Sequence, residues 1–231
     1  MPNAFHLLID GVERAGSAGA NAPVIDPATE ETIGDVSYVS EADVDAAIAV
    51  SRRGLAIWSA TSPWDRGSIL KRAADILRAD IEVAARTITR EQGKPLTQAR
   101  LEVRRAADFL EWGGEEARRI TDHTVAGRSP GARTETQAHP VGVVAALTPW
   151  NFPMALAAKK FAGALGAGCA VICKPSQETP GSVLTLARAL LEAGAPPAAI
   201  AVIFGDPDMI SKKLIEAPEV AKLSFTGSIP I

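Results

Sequence analysis

Cysteine, histidine and aromatic side chains are scarce in this 231-residue chain, and long apolar runs are missing. The two cysteines, Cys169 and Cys173, lie four residues apart in one apolar segment, while His6, His123 and His139 fall far from them and from one another. That spacing argues against a disulfide framework and against a metal site, and a reducing cytoplasm is the expected compartment. Apolar runs such as residues 141–147 are far shorter than the roughly 20 residues a membrane helix needs, and no basic-then-apolar signal segment opens the chain. Lys and Arg total 24 against 27 Asp and Glu, a net charge of −3 spread along the chain. Neither a nucleic acid nor an anionic membrane is therefore expected as partner. The Gly-x-Gly-x-x-Gly fingerprint of many dinucleotide-binding folds is also missing.

What is present is ordinary globular material, with 47% hydrophobic and 22% charged residues. The first 35 or so residues alternate short apolar runs with turn signals, as in Leu7-Leu8-Ile9-Asp10-Gly11, and predict a small β-structured leader. Helices follow. Ser40 with Asp43 makes a capping box, and Val44, Ala47, Ile48, Leu55 and Trp58 keep near-helical spacing. Two further stripes run through Ile69–Leu77 and Ile81–Ile88, and Gly93 with Pro95 should stop the third helix. A fourth helix is predicted from about Leu96 to Ile120, its Glu102, Arg105, Glu115, Glu116, Arg118 and Arg119 reading as a solvated face.

Composition shifts over residues 122–140 to Gly, Ser, Thr, Arg and Pro, with the alternating tract Arg133-Thr134-Glu135-Thr136-Gln137, which predicts a polar linker or an exposed two-stranded ribbon. Beyond Pro140 short apolar strands alternate with amphipathic helices of about a dozen residues, the signature of a βαβ array and a parallel sheet covered on both faces. The predicted fold class is α/β: a Rossmann-like parallel sheet with flanking helices, preceded by the β leader and the helical segment.

Three motifs follow predicted strands and should gather at one sheet edge, where such folds bind nucleotides. They are Thr148-Pro149-Trp150-Asn151-Phe152-Pro153, Lys174-Pro175-Ser176, and Phe225-Thr226-Gly227-Ser228. In the last, a glycine permits close backbone approach to a pyrophosphate and Ser228 adds a hydroxyl and an N–H, although Gly and Ser also suit a plain turn. Lys174 at a strand end could meet an anion or hydroxyl, or could extend to water. Asn151 offers an amide donor between two stiffening prolines. Cys169 and Cys173 read as core residues, because a reactive thiolate needs exposure and a nearby cation or helix N-terminus.

Together these motifs resemble the N-terminal, cofactor-binding portion of NAD(P)-dependent aldehyde dehydrogenases, over essentially the whole chain. Glu91-Gln92-Gly93-Lys94-Pro95-Leu96, Phe109-Leu110-Glu111-Trp112 and Glu115-Glu116-Ala117-Arg118-Arg119 look most like the succinate-semialdehyde dehydrogenase branch. The resemblance implies oxidation of an aldehyde to its acid with NAD or NADP, with Asn151 stabilising the oxyanion. It implies cofactor contacts from Leu147, Trp150, Lys174, Ser176, Gln177, Gly205, Gly227 and Ser228, with Lys174 at the adenosine ribose. Gln177 stands where NAD-preferring members commonly carry glutamate; Glu178 is adjacent, so NAD and NADP both stay open.

A substrate-lining set of Phe152, Leu156 and Lys159 is implied too, with Lys159 where the branch commonly has arginine. Residues 1–121 would form the first part of the cofactor-binding domain, 122–140 an arm that pairs with a second copy into a homo-oligomer, and 141–231 the Rossmann-like core. The cysteine nucleophile and glutamate base of the family pattern are expected beyond Ile231, which would leave the chain by itself catalytically incomplete and make a non-catalytic binding or interaction protein the rival reading. A relative reducing acyl phosphates or thioesters is a third, against which Pro-Trp-Asn-Phe-Pro argues.

Overall fold

The computed structural model describes residues 4–229. The chain opens with β1 (Ala4–Phe5), β2 (Leu7–Ile9), β3 (Val12–Arg14), β4 (Asn21–Ile25) and β5 (Thr32–Ser37). Four helices follow: α1 (Glu41–Ser59), α2 (Pro63–Ala79), α3 (Ile81–Gln92) and α4 (Leu96–Ala117). An exposed two-stranded ribbon, β6 (His123–Ala126) with β7 (Arg133–Thr136), precedes the alternating part. That part comprises β8 (Val143–Leu147), α5 (Pro153–Gly166), β9 (Ala170–Lys174), α6 (Pro180–Glu192), β10 (Ile200–Val202), α7 (Pro207–Glu216) and β11 (Val220–Phe225).

Local chemistry sets most of these boundaries. Ser40 accepts from the Asp43 N–H while the Asp43 carboxylate accepts from the Ser40 N–H, a complete capping box at the start of α1. Ser62 caps α2, with Pro63 in its first turn. Gly93 adopts φ 75° after α3, and its N–H reaches Thr89 O at 2.8 Å, the left-handed stop that glycine takes without a Cβ clash. The fourth helix ends at Ala117, shorter than the sequence predicts, with Arg118 and Arg119 in a closing turn.

The large sheet has six strands in the order β11-β8-β9-β10-β2-β3. β11, β8, β9 and β10 are parallel, whereas β2 runs antiparallel to β10 and pairs with β3 as a hairpin. The leader is therefore not a separate small structure: its first hairpin extends the main sheet, and only β1, β5 and β4 form a sheet of their own. All five residues of β8 and the first four of β9 are buried, as a strand covered on both faces requires. β11, an edge strand, is mostly exposed.

The helical segment clamps the Rossmann-like part through charge. Helices α5 and α6 have no side-chain N-cap of their own. Glu102 of α4 accepts from the Met154 and Ala155 N–H groups at 3.1 and 3.3 Å, and Glu91 of α3 accepts from Gly181 and Ser182 N–H at 2.5 and 3.0 Å. At the opposite ends, Arg66 of α2 donates to Gly166 O at 3.3 Å and Arg72 donates twice to Ala193 O, at 3.1 and 2.7 Å. Carboxylates thus sit on both helix N-termini and guanidinium groups on both C-termini, the arrangement the helix dipole favours. Glu102 is only 3% exposed, so it does not belong to the solvated face of α4 that its charge suggests. Helices α4 and α5 can approach this closely because a Cβ on Gly113 would stand 2.7 Å from Ala162 O. Trp58 adds a buried tie, donating from Nε1 to Leu165 O at 2.8 Å.

Candidate active site and nucleotide edge

The carboxyl ends of three adjacent parallel strands finish in one row: Phe225 pairs with Leu147, and Leu147 with Lys174. Each loop is held one step further, Thr226 N–H to Leu147 O at 3.1 Å, Thr148 N–H to Lys174 O at 3.2 Å and Ile203 N–H to Cys173 O at 2.9 Å. The segments carrying Asn151, Lys174, Ser176, Gln177, Gly205, Gly227 and Ser228 therefore leave the same edge. Leu147 is buried at the end of β8, Trp150 projects with 52% exposure, and Gly227 and Ser228 are exposed beyond β11. Gly205 is buried just after β10 at φ 148°, a conformation that disfavours any side chain.

The Asn151 side chain has a defined orientation. Its Oδ1 accepts from the Phe152 N–H at 3.0 Å, so the oxygen is engaged with the loop and the NH2 is the end left to donate elsewhere. Its main-chain oxygen accepts from Lys94 Nζ at 2.9 Å and Gln92 Nε2 at 3.4 Å. Lys94 in turn pairs with the buried Glu102. Motif reading passes over Lys94, Gln92 and Glu102 as functional residues. The available signal was a carboxylate on the apolar stripe Ala99-Glu102-Val103-Ala106, where a solvated charge has no place.

At the neighbouring strand end, burial holds the Lys174 ammonium below its ordinary pKa, while Glu178, Cys173 and Asp206 act in the opposite sense. Burial and the same two carboxylates, Glu178 and Asp206, raise the Tyr38 phenol. Lys174, Glu178, Asp206 and Tyr38 thus share one electrostatic neighbourhood, to which Tyr38 comes from the leader without any sequence signal. The Ser176 hydroxyl donates to Glu178, and Gln177 beside it is half-buried.

The expected substrate-lining residues do not share one face. Phe152 lies outside α5 as its cap residue, with φ −136° and ψ 68°, so helical spacing does not govern its direction. It borders a cavity of about 390 Å³ with Gln92, Lys94 and Glu102. Leu156, Lys159 and Lys160 instead border a cavity of about 720 Å³ against Ser224 and Phe225. Lys159 also reaches a groove of about 580 Å³ beside Arg105, Phe109 and Trp112, its Nζ 6.0 Å from the Phe109 ring centroid. Lys160 donates to Ser224 Oγ at 3.0 Å, and burial lowers its pKa.

Both cysteines are buried, as their residue types suggest, with Cys169 just ahead of β9 and Cys173 within it. Burial pushes the Cys173 thiol up to about 12, so it is no thiolate nucleophile near neutral pH. Among the described residues, no helix is long and apolar enough to cross a membrane.

Comparison with known proteins agrees with this architecture. Residues 14–231 match the aldehyde dehydrogenase family. The chain is 40% identical over 209 residues to a succinate semialdehyde dehydrogenase of Acinetobacter baylyi, covering 90% of this chain and 43% of that protein. It is 38% identical over 224 residues to the NADP(+) succinate-semialdehyde dehydrogenase of Escherichia coli, covering 97% and 46%. A crystal structure of an NAD-dependent aldehyde dehydrogenase from Sinorhizobium meliloti superposes with a TM-score of 0.95 at 31% identity, covering 100% of this chain and 46% of that one. The chain thus spans somewhat less than half the length of these relatives. With an α/β architecture that superposes on such enzymes and a family match running from Arg14 to its last residue, the chain belongs to the aldehyde dehydrogenase family.

Proposed function

We propose that the complete protein oxidises a small aldehyde to its carboxylic acid with NAD or NADP, that succinate semialdehyde or a related semialdehyde is the substrate, and that this chain supplies the cofactor edge and the oxyanion donor. The observation that carries the reading is the Asn151 amide, its oxygen held by Phe152 N–H and its NH2 left to donate, on a loop whose strand ends level with Lys174. Attack by a nucleophile on an aldehyde carbonyl places negative charge on its oxygen, and a preorganised donor aimed there contributes about 3 kcal/mol. The cysteine nucleophile and glutamate base of the family pattern would come from outside residues 1–231.

The edge suits a dinucleotide on two physical grounds. Three helices start there with their first N–H groups already taken by carboxylates: α5 by Glu102, α6 by Glu91 and α7 by Asp206. A pyrophosphate would meet occupied donors at all three, which leaves the exposed Gly227-Ser228 turn as its seat. The half-buried Lys174 gains from an oxygen-rich neighbour, as a ribose would supply. The bound dinucleotide supplies hydride acceptance; Lys174, Ser176, Gln177, Gly205, Gly227 and Ser228 would hold it beside Leu147 and Trp150. Glu178 is already engaged by Ser176 and Lys174, and Gln177 repels nothing, so a 2′-phosphate is admissible beside a 2′-hydroxyl.

For the substrate, Lys159 offers a compact positive charge to an anionic tail, with Leu156 as apolar lining in the same cavity and Phe152 on the neighbouring one. Two relatives carry succinate semialdehyde in their names, which favours that chemistry. We assign residues 1–121 and 141–231 together to cofactor binding in the cytoplasm, and the exposed 122–140 ribbon to pairing with a second copy, since a lone two-stranded ribbon is only marginally stable.

Calorimetric titration of this chain with NAD and NADP tests the edge without turnover, and absence of heat with both would reject it. In the complete protein, Asn151→Ala should lower kcat/KM for succinate semialdehyde by about 100-fold, as losing one oxyanion donor does. An unchanged kcat/KM would remove Asn151 from the mechanism.

A further inference from the structure

We infer that Lys94 and Glu102 are positioning residues, an ion pair that aims the Asn151 amide by holding the Asn151 carbonyl and the Met154 and Ala155 N–H groups that follow it. The inference rests on the reading of Asn151 as the oxyanion donor.

The connections form one chain. The Lys94 ammonium, only 10% exposed, pairs with Glu102, donates to Asn151 O at 2.9 Å and lies 4.0 Å from the Phe152 ring centroid. Asn151 C=O and Phe152 N–H are the two ends of a single planar peptide group, so fixing one end fixes the other. That N–H donates to Asn151 Oδ1 at 3.0 Å, which fixes the amide plane and leaves its NH2 as the free donor end. Glu102 holds the next stretch, its Oε1 accepting from Met154 and Ala155 N–H at 3.1 and 3.3 Å; Pro153 between them has no N–H to hold. Gln92 Nε2 adds a second donor to Asn151 O at 3.4 Å.

Burial makes the two charges interdependent. A carboxylate that is 3% exposed is costly without a cation, and Lys94 is the cation that meets it. The α5 N-terminus favours the carboxylate, and the carboxylate favours the ammonium that grips the catalytic loop. Neither side chain needs to touch a reacting atom. Their effect on the reaction would pass entirely through the direction of one amide, where a misplacement of about 1 Å can cost 100-fold.

The test uses Lys94→Met, Lys94→Arg and Asn151→Ala, separately and with Lys94→Met combined with Asn151→Ala. Amide hydrogen exchange on this chain needs no activity. Lys94→Met should speed exchange at Phe152, Met154 and Ala155 by at least tenfold while β8 and β9 stay protected, and Lys94→Arg should recover much of that protection. Unchanged exchange at those amides would overturn the proposal. In the complete protein, Lys94→Met should lower kcat about 10- to 100-fold with the dissociation constant for NAD or NADP unchanged. The double variant should lose no more than Asn151→Ala alone, because Lys94 acts through Asn151. Multiplying losses would overturn the proposal. If Lys94→Met does not fold, the paired replacement Lys94→Met with Glu102→Met removes both buried charges together and is read the same way. Should the complete protein oxidise no aldehyde, or should Asn151→Ala leave turnover intact, the functional reading fails, while the exchange experiment still decides whether the pair anchors the loop.

Discussion

Glu91→Gln should remove a part of the chain's pH dependence, the fall in stability that this buried carboxyl imposes as pH rises. Glu91 Oε1 accepts from Gly181 N–H at 2.5 Å, and Oε2 accepts from Ser182 N–H at 3.0 Å and Ser182 Oγ at 2.8 Å. These three donors favour the carboxylate, yet burial outweighs them and raises the group from 4.5 to about 7. A carboxyl group whose folded pKa lies above its unfolded value binds its proton more tightly in the native state. Its contribution is fully present below about 4.5 and is lost as pH rises through about 7. A rise from 4.5 to about 7 corresponds to about 3 kcal/mol of stability.

Glutamine keeps one acceptor and sets an NH2 against a backbone N–H, a loss of about 1–3 kcal/mol at any pH. The variant should therefore be clearly less stable than the parent near pH 4.5 and close to it, or slightly more stable, at pH 8. Urea unfolding followed by fluorescence of the four tryptophans, at intervals between pH 4.5 and 8, gives the difference directly, since other titrating groups cancel between the two proteins. A stability difference that stays constant across this range would refute the reasoning and place Glu91 as an ordinary ionised cap.

Asp43 should behave in the opposite sense. Burial would raise it, but hydrogen bonds from the Ser17 side chain and backbone, the Ser40 backbone and Arg14 together lower it from 3.8 to about 2. Its contribution of about 2 kcal/mol is present above pH 3.8 and lost as pH falls toward 2, so Asp43→Asn should flatten the acid limb of the stability profile. A parallel acid limb in the variant would contradict this. Trp58→Phe should cost about 1–3 kcal/mol in urea unfolding, because a fully buried indole loses volume and its bond to Leu165 O, which keeps only the Gly168 N–H at 3.0 Å; a loss below about 0.5 kcal/mol would mean the tie between α1 and α5 is dispensable.

Local chemistry by itself determined a large part of this protein. The apolar runs before Lys174 and within 143–147 read as strands buried on both faces, and they are. Ser40 with Asp43, and Gly93 with Pro95, mark helix ends through neighbours a few residues apart, so those boundaries were readable. The alternation after Pro140 implied parallel strands, which brings the Asn151, Lys174 and Ser228 segments to one edge.

Tertiary structure decided what depends on residues far apart in the chain. Leu8 pairs with Val202, which turns the leader's first hairpin into part of the main sheet, and no local pattern specifies that partner. Glu102 reads as a helix-surface charge until α5 arrives with its uncapped N-terminus across 52 residues of chain, and Glu91 meets the uncapped α6 across 90. Phe152 borders a different cavity from Leu156, the partner the resemblance implied, because a cap residue takes its direction from the loop that holds it. Periodicity reports which side of an element is apolar; it does not report which distant donor will meet a buried carboxylate, since that meeting exists only once the helices have packed together.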